Sequence, residues 1–272
     1  MGKIKWGVMD GGTLDLDKSV LTFMRDMGKI ITIPIWQGYI ETPEHKIVCD
    51  TSFDINNKDW RVKLPGGKYQ PGVDYWGERQ SSEQRMENQL KKIGLTPDDI
   101  DIVILTHLHF DHSGQMGKFK KAKFYINKYQ MDWAMCPGNF QQSAYSWSDL
   151  TGAPAKQPDR QTLDLWNRIV WTYDDCEVCP GVKLIASPGH TPGHQSILVE
   201  SDPAAIMCGD AIYLEENWDE EWPPGYVYDA QLASESIWRV KMVANKIGAK
   251  HYVSHDAASF AKWKKLPEFE VE

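Results

Sequence analysis

The sequence predicts a mixed α+β protein built from two similar αβ units packed sheet to sheet. Three observations carry this. Short apolar runs recur along all 272 residues, at the length of buried strands. Each half runs strands first, then a helix, then a strand. Polar residues follow the last strand of each half, where loops can gather them at one edge of the sheets. A single domain over 1–272 is expected, with halves of about 1–150 and 151–272, and the chain is long enough for a substantial core.

The first fifty residues read as strands, with Ile30, Ile31, Ile33 and Ile35 enriching 29–39 and a short apolar run at 46–49 ending in Asp50-Thr51. Residues 52–80 are polar and rich in Gly and Pro, so they read as a long excursion. Residues 81–93 read as a helix: Met86, Leu90 and Ile93 share a face and Gly94 stands at the stop. Thr96-Pro97-Asp98-Asp99 is a turn and a second helix start. Ile102-Val103-Ile104-Leu105 is a buried strand. A strand at 123–126 and a short helix at 128–135 follow, 136–157 is irregular, and 160–166 is helical. Strands are expected at 169–173, 182–187, 195–200, 204–208 and 251–254. Residues 216–225 read as an acidic, aromatic loop. Residues 229–247 form the strongest helix, stopped by Gly248.

Composition narrows the function. The formal net charge of -8 argues against a nucleic-acid backbone as partner. The lysines Lys118, Lys120, Lys121 and Lys123 read as a solvated face. No apolar stretch approaches the ~20 residues of a membrane span. The N-terminus lacks a signal peptide's apolar core, and Trp6 stands where myristoylation wants Ser or Thr, so a cytoplasmic protein is expected. Five cysteines make no disulfide framework, and Cys176-Glu-Val-Cys179 lacks the second pair of a structural zinc site. Twelve tryptophans, several in loop context (Trp60, Trp76, Trp133, Trp147, Trp218, Trp222), suit an apolar pocket, satellite packing or a homodimer interface.

The chemistry concentrates in Thr106-His107-Leu108-His109-Phe110-Asp111-His112, directly after a buried strand. His190 in Pro188-Gly189-His190, Asp210 in Gly209-Asp210 and His255 in Ser254-His255-Asp256 each follow another apolar run. Imidazole and carboxylate are good ligands for Zn²⁺ and similar ions. Five histidines and two aspartates are too many for one ion and fit two. An aspartate can bridge two cations, and metal binding drops water's pKa from 15.7 to about 7. His45, His194 and His251 are left over, and His194 reads as a packed or supporting residue.

On these motifs the chain resembles the metallo-β-lactamase superfamily, from about residue 30 to 255. The resemblance implies a four-layer αββα sandwich of two mixed sheets flanked by helices. It implies that His107, His109 and His190 hold one metal, that Asp111, His112 and His255 hold the other, and that Asp210 bridges them. Zinc is the first expectation, and Fe, Mn or Co fit the same donors. Flavodiiron proteins carry Glu where this chain has His109. True β-lactamases generally lack the bridging aspartate. Glyoxalase II enzymes add a helical C-terminal domain, whereas 17 residues follow His255 here. Ribonuclease Z-type nucleases fit poorly with the net acidity.

Within the superfamily the chain resembles quorum-quenching N-acyl-homoserine lactonases. Pro34-Ile-Trp36, the segment 83–94, His107 to Gly114, Pro188 to Ser196 and Asp210-Ala-Ile-Tyr213 carry this. The Tyr three residues after the bridging Asp is the most discriminating feature. The implied reaction is opening of a lactone ring by a metal-bridging hydroxide. Tyr213 would stabilise the oxyanion, Asp111 would deliver a proton to the leaving oxygen, and Trp36 with Tyr213 would contact substrate. A pyridoxolactonase-like enzyme, a thioesterase or phosphodiesterase on the same site, and a non-catalytic metal-binding protein are the alternatives.

Overall fold

Two long strands open the chain: β1 (Lys5–Asp17) and β2 (Ile30–Glu41) pair antiparallel along their length. β3 (Lys46–Cys49) joins β2 antiparallel. β4 (Ile102–Ile104), β5 (Lys123–Asn127) and β6 (Ile169–Thr172) then add in parallel. They form a six-stranded sheet in the order β1-β2-β3-β4-β5-β6. A second, five-stranded sheet follows: β7 (Cys176–Cys179), β8 (Val182–Ala186), β9 (Gln195–Val199), β10 (Ala205–Gly209) and β11 (Lys250–Val253). Its order is β11-β10-β9-β8-β7, antiparallel except between β10 and β11. This computed structural model describes residues 3–56, 76–138, 141–145 and 160–272.

Side chains alternate across a strand, so each sheet has two faces to bury. Trp6, Val8, Ile40 and Ile104 of the first sheet meet Leu184, Ile197, Val199 and Met207 of the second. The outer face of the first sheet, including Tyr39, Val103 and Phe124, packs on Leu90, Met131 and Leu165. These come from helices Met86–Lys91, Lys128–Met135 and Arg160–Asn167. The outer face of the second packs Leu198 and Ile206 on Ile237, Val240 and Ala244 of helix Ala230–Ile247. The layers are therefore αββα. Each such buried aliphatic or aromatic side chain contributes about 1.5–3 kcal/mol of transfer free energy.

Several elements differ from expectation. The helix expected over 81–93 is two short pieces, Ser82–Gln84 and Met86–Lys91, because Arg85 between them is extended (φ -74, ψ 146). The loop expected at 216–225 begins as helix Glu215–Glu220. Asn217 secures that turn: its Oδ1 accepts from Leu214 N, and its Nδ2 donates to the Leu21 and Trp222 carbonyls. β6 completes the first sheet, so the sheets divide the chain after Thr172. Cys176 and Cys179 lie on β7, and all five cysteines are free. The 52–80 excursion falls partly outside the described residues, as do the 136–157 segment, Trp60 and Trp147. Its far end is pinned, since Arg79 exchanges two backbone hydrogen bonds with Thr13. Lys118 pairs with Glu87 and Asp54, and Lys121 with Asp98. Among the described residues no helix is long and apolar enough to cross a membrane.

Candidate metal centre

The polar residues gather where strands of both sheets end. β4 gives way to Thr106 and His107. His109 is still extended (φ -66, ψ 152) before the one-turn helix Phe110–Ser113, which carries Asp111 and His112. His190 follows β8, Asp210 follows β10 and His255 follows β11. Two glycines make these turns possible. Gly189 has φ +134, and a Cβ there would meet the Ala233 backbone at 2.3 Å. Gly209 has φ +56, and its Cβ would meet His194 Nε2 at 2.6 Å.

All seven expected donors are buried. They form two groups, His107, His109, His190 and Asp210, then Asp111, His112 and His255. In the first, His190 Nε2 lies 3.1 Å from His107 Nε2 and 2.9 Å from His109 Nδ1. His107 Nε2 lies 3.0 Å from His109 Nδ1. Asp210 spans the groups. Its Oδ2 is 3.5 and 3.4 Å from His107 and His190 Nε2, and its Oδ1 is 3.2 Å from both His112 and His255 Nε2. Asp111 Oδ2 lies 3.5 Å from His112 Nε2 and 3.9 Å from His255 Nε2.

The donor set fits divalent cations on its own hydrogen bonds. His190 Nδ1 donates to the Tyr226 carbonyl at 2.7 Å and His255 Nδ1 to the Pro34 carbonyl at 3.0 Å. His107 Nδ1 donates to Thr106 Oγ1 at 3.1 Å, which donates on to Asp50 Oδ2 at 2.8 Å. His112 Nδ1 donates to the same Asp50 oxygen at 2.8 Å. With a proton held at each Nδ1, it is the Nε2 that each ring turns to the centre, the arrangement metal-ligating histidines use. Two such nitrogens, on His107 and His190, face each other with His109 Nδ1 beside them. One proton cannot satisfy all three nitrogens, and a cation can.

Charge follows burial. Burial, then the neighbouring His112, pushes His107 well below its usual range, and burial with His190 does the same to His109. Burial pushes His190 down to about 4 and His194 to about 3. Burial alone would raise Asp210, but His112 and His255 hold it well below the carboxylate range. Tyr213 is driven well above its usual value by burial and then by Asp210 and Asp111, so its hydroxyl stays protonated. That hydroxyl sits 3.3 Å from His190 Nδ1, with its ring 5.0 Å from that of His255.

A family model described as the metallo-beta-lactamase superfamily matches residues 71–248. The chain belongs to this superfamily. It is 29% identical over 263 residues, 95% of each chain, to the N-acyl homoserine lactonase AiiA of Bacillus thuringiensis subsp. kurstaki. It is 29% identical over 274 residues, 99% of each chain, to the N-acyl homoserine lactonase AttM of Rhizobium radiobacter. Among solved structures it is similar to an N-acyl homoserine lactone hydrolase with its product, N-hexanoyl-L-homoserine, bound at the catalytic metal center. That match has a TM-score of 0.78 at 27% identity and covers 99% of this chain and 100% of that one. Family and donor set make this protein a metal-dependent hydrolase of the superfamily.

Trp36 departs from its expected place against substrate. Strand alternation turns it, with Ile40, into the space between the sheets. Its indole donates to the Val253 carbonyl at 3.1 Å and its ring packs edge-on against Trp263. The loop aromatics that do reach the site are others. Tyr145 packs its ring 4.8 Å from His109, and Trp76 packs on Phe110 and Tyr226. Sequence reading also missed Asp50 and Ser254, whose hydroxyl donates to Asp210 Oδ1. Asp50 had a signal: Asp50-Thr51 ends an apolar run just as Thr106-His107 does.

Proposed function

We propose that this hydrolase opens the ring of an N-acyl homoserine lactone. The carrying observation is the seven-donor pair of groups joined by Asp210, with the protonated Tyr213 hydroxyl at its edge and an apolar cluster beside it. Its named relatives are lactonases of this substrate.

The chemistry that two divalent cations would supply at this site is acidification of a water and Lewis-acid polarisation of the ring carbonyl. His107, His109 and His190 would hold one cation, Asp111, His112 and His255 the other, and Asp210 would serve both. Tyr213 donates its hydroxyl proton as a hydrogen bond to the carbonyl oxygen as charge develops there. Asp111 takes the proton released by the attacking water and returns it to the ring oxygen as the C–O bond breaks. Water and lactone are thereby converted to the open hydroxy acid, with no net proton change beyond ionisation of the new carboxyl. Leu14, Leu21, Ile35, Phe53 and Phe110 pack with Tyr213. An acyl chain entering there would bury its methylenes at about 0.8 kcal/mol each.

The test is metal analysis with a substrate panel of lactones differing in ring size and acyl length, a thioester and bis-p-nitrophenyl phosphate. The expected result is two metals per chain and fastest turnover of an acylated homoserine lactone. Fewer than one metal per chain, or preference for the thioester or the phosphodiester, would overturn the assignment.

A further inference from the structure

Glu215 is the first residue of helix Glu215–Glu220, two residues after Tyr213. Its side chain does not face solvent alone. One carboxylate oxygen accepts from His251 Nε2 at 2.8 Å and the other from Ser259 Oγ. His251 lies four residues before the donor His255, and Ser259 four residues after it. A single carboxylate thus brackets the whole turn that carries His255. The rest of the contact tightens the same junction. Glu215 N donates to Asp256 Oδ2 at 3.3 Å, and Asp256 Oδ1 accepts from Ser259 N at 2.9 Å. Ser254 N donates to the Ile212 carbonyl at 3.0 Å and His255 N to the Tyr213 carbonyl at 2.8 Å. The His251 ring is stacked on Trp218 of the same helix, 3.8 Å away and 14° from parallel.

We infer that Glu215, with His251 and Ser259, is a positioning strap that sets His255 and Tyr213 as one unit against Asp210. The inference rests on the two-metal reading above and goes beyond it by predicting an asymmetry. His255 belongs to the second donor group alone. The first group is held elsewhere, through Thr106 and Asp50 at His107 and through the Tyr226 carbonyl at His190. Loosening the strap therefore weakens the second metal position and leaves the first in place. Partners that orient metal ligands are worth about 10–100-fold in metal affinity or activity. Because Tyr213 shares the strap, turnover falls through kcat while KM changes little.

The experiment is competitive metal titration of the full chain, wild type against Glu215→Ala, Glu215→Gln and His251→Gln, with thermal melting and steady-state kinetics alongside. The expected result for Glu215→Ala is a second-metal affinity at least about tenfold weaker, with first-metal affinity within about twofold of wild type. Glu215→Gln, whose amide oxygen can still accept from His251, should recover most of that loss. His251→Gln keeps the Ser259 bond and serves if Glu215→Ala does not fold; it should show a smaller loss of the same kind. A wild type that binds fewer than two metals would sink the two-metal reading itself. A wild type with two metals and variants that lower only the melting temperature, or that weaken both metals equally, would overturn the strap alone.

Discussion

The two donor groups are built from the same kinds of residue and solve opposite problems. In the first, three imidazole nitrogens converge within 3.1 Å of one another. Burial holds all three rings below their usual range, so each offers a lone pair. In the second, burial alone would lower His112 and His255, but Asp210 and Asp111 raise them instead. There the donors stand 3.2 to 3.9 Å apart and pair carboxylate with imidazole. The first group is thus a tight, cation-demanding trio. The second is looser and partly neutralised by Asp111 and by Asp210, which it shares with the first. A chelator should therefore strip the second position first.

The largest effect expected is at the first group. His109→Ala should remove one metal per chain and lower kcat/KM by more than about 100-fold, since loss of even an outer partner costs 10–100-fold. His255→Ala should also cost a metal, from the looser position, and with a smaller loss of kcat/KM. Metal analysis and kinetics on the two variants decide the comparison. Equal losses would show that the difference in convergence has no energetic weight. Tyr213→Phe should spare both metals and reduce kcat by about 100-fold, the lower end of what one oxyanion donor supplies, with KM little changed. An unchanged kcat would take Tyr213 out of the mechanism.

How much of this was legible depended on sequence distance. His107 to His112 could be read because four donors fall within six consecutive residues. The sandwich could be read because the apolar runs are strand-length, and because β4 leads directly into the donors. Trp36 misled because proximity in sequence to Pro34-Ile35 says nothing about which face it takes. Ile35 faces Tyr213 and Trp36 faces the opposite sheet. Glu215, just ahead of what read as an acidic loop, gave no sign of its role, because its partners lie 36 and 44 residues away. Asp50 was noted only as the end of a strand. Its meaning depends on His112, 62 residues on.

Asp50 is also the point at which the two groups cease to be independent. Through Thr106 it fixes His107 of the first, and directly it fixes His112 of the second. Its own backbone has φ +61, a region a non-glycine residue rarely adopts without a reason. Asp50→Asn keeps the size but leaves one side-chain oxygen where two oxygens now accept three hydrogen bonds, the third from Thr106 N at 2.8 Å. Both metals should then bind about tenfold more weakly, at the lower end of what outer partners contribute. That equal loss contrasts with the one-sided loss expected from Glu215→Ala. Metal titration of the two variants side by side separates a shared support from a private one. A one-sided loss in Asp50→Asn would mean that the Thr106 relay carries no weight and that His107 is oriented by the first group's own convergence.

The smallest effect expected is on stability. A ligand that binds only the folded chain stabilises it by about 2.7 kcal/mol when present at 100 times its dissociation constant. For a chain of this size each kcal/mol moves the melting temperature by roughly 2–4 °C. Chelation should therefore lower the melting temperature by roughly 5–10 °C for each position emptied. The first position should contribute more, because emptying it returns His107 and His190 Nε2 to facing lone pairs at 3.1 Å with no proton between them. Melting curves at chelator levels that remove one metal, then two, measure the two steps separately. A larger first step than second would invert the ranking of the groups and locate the binding energy in the carboxylate-rich position.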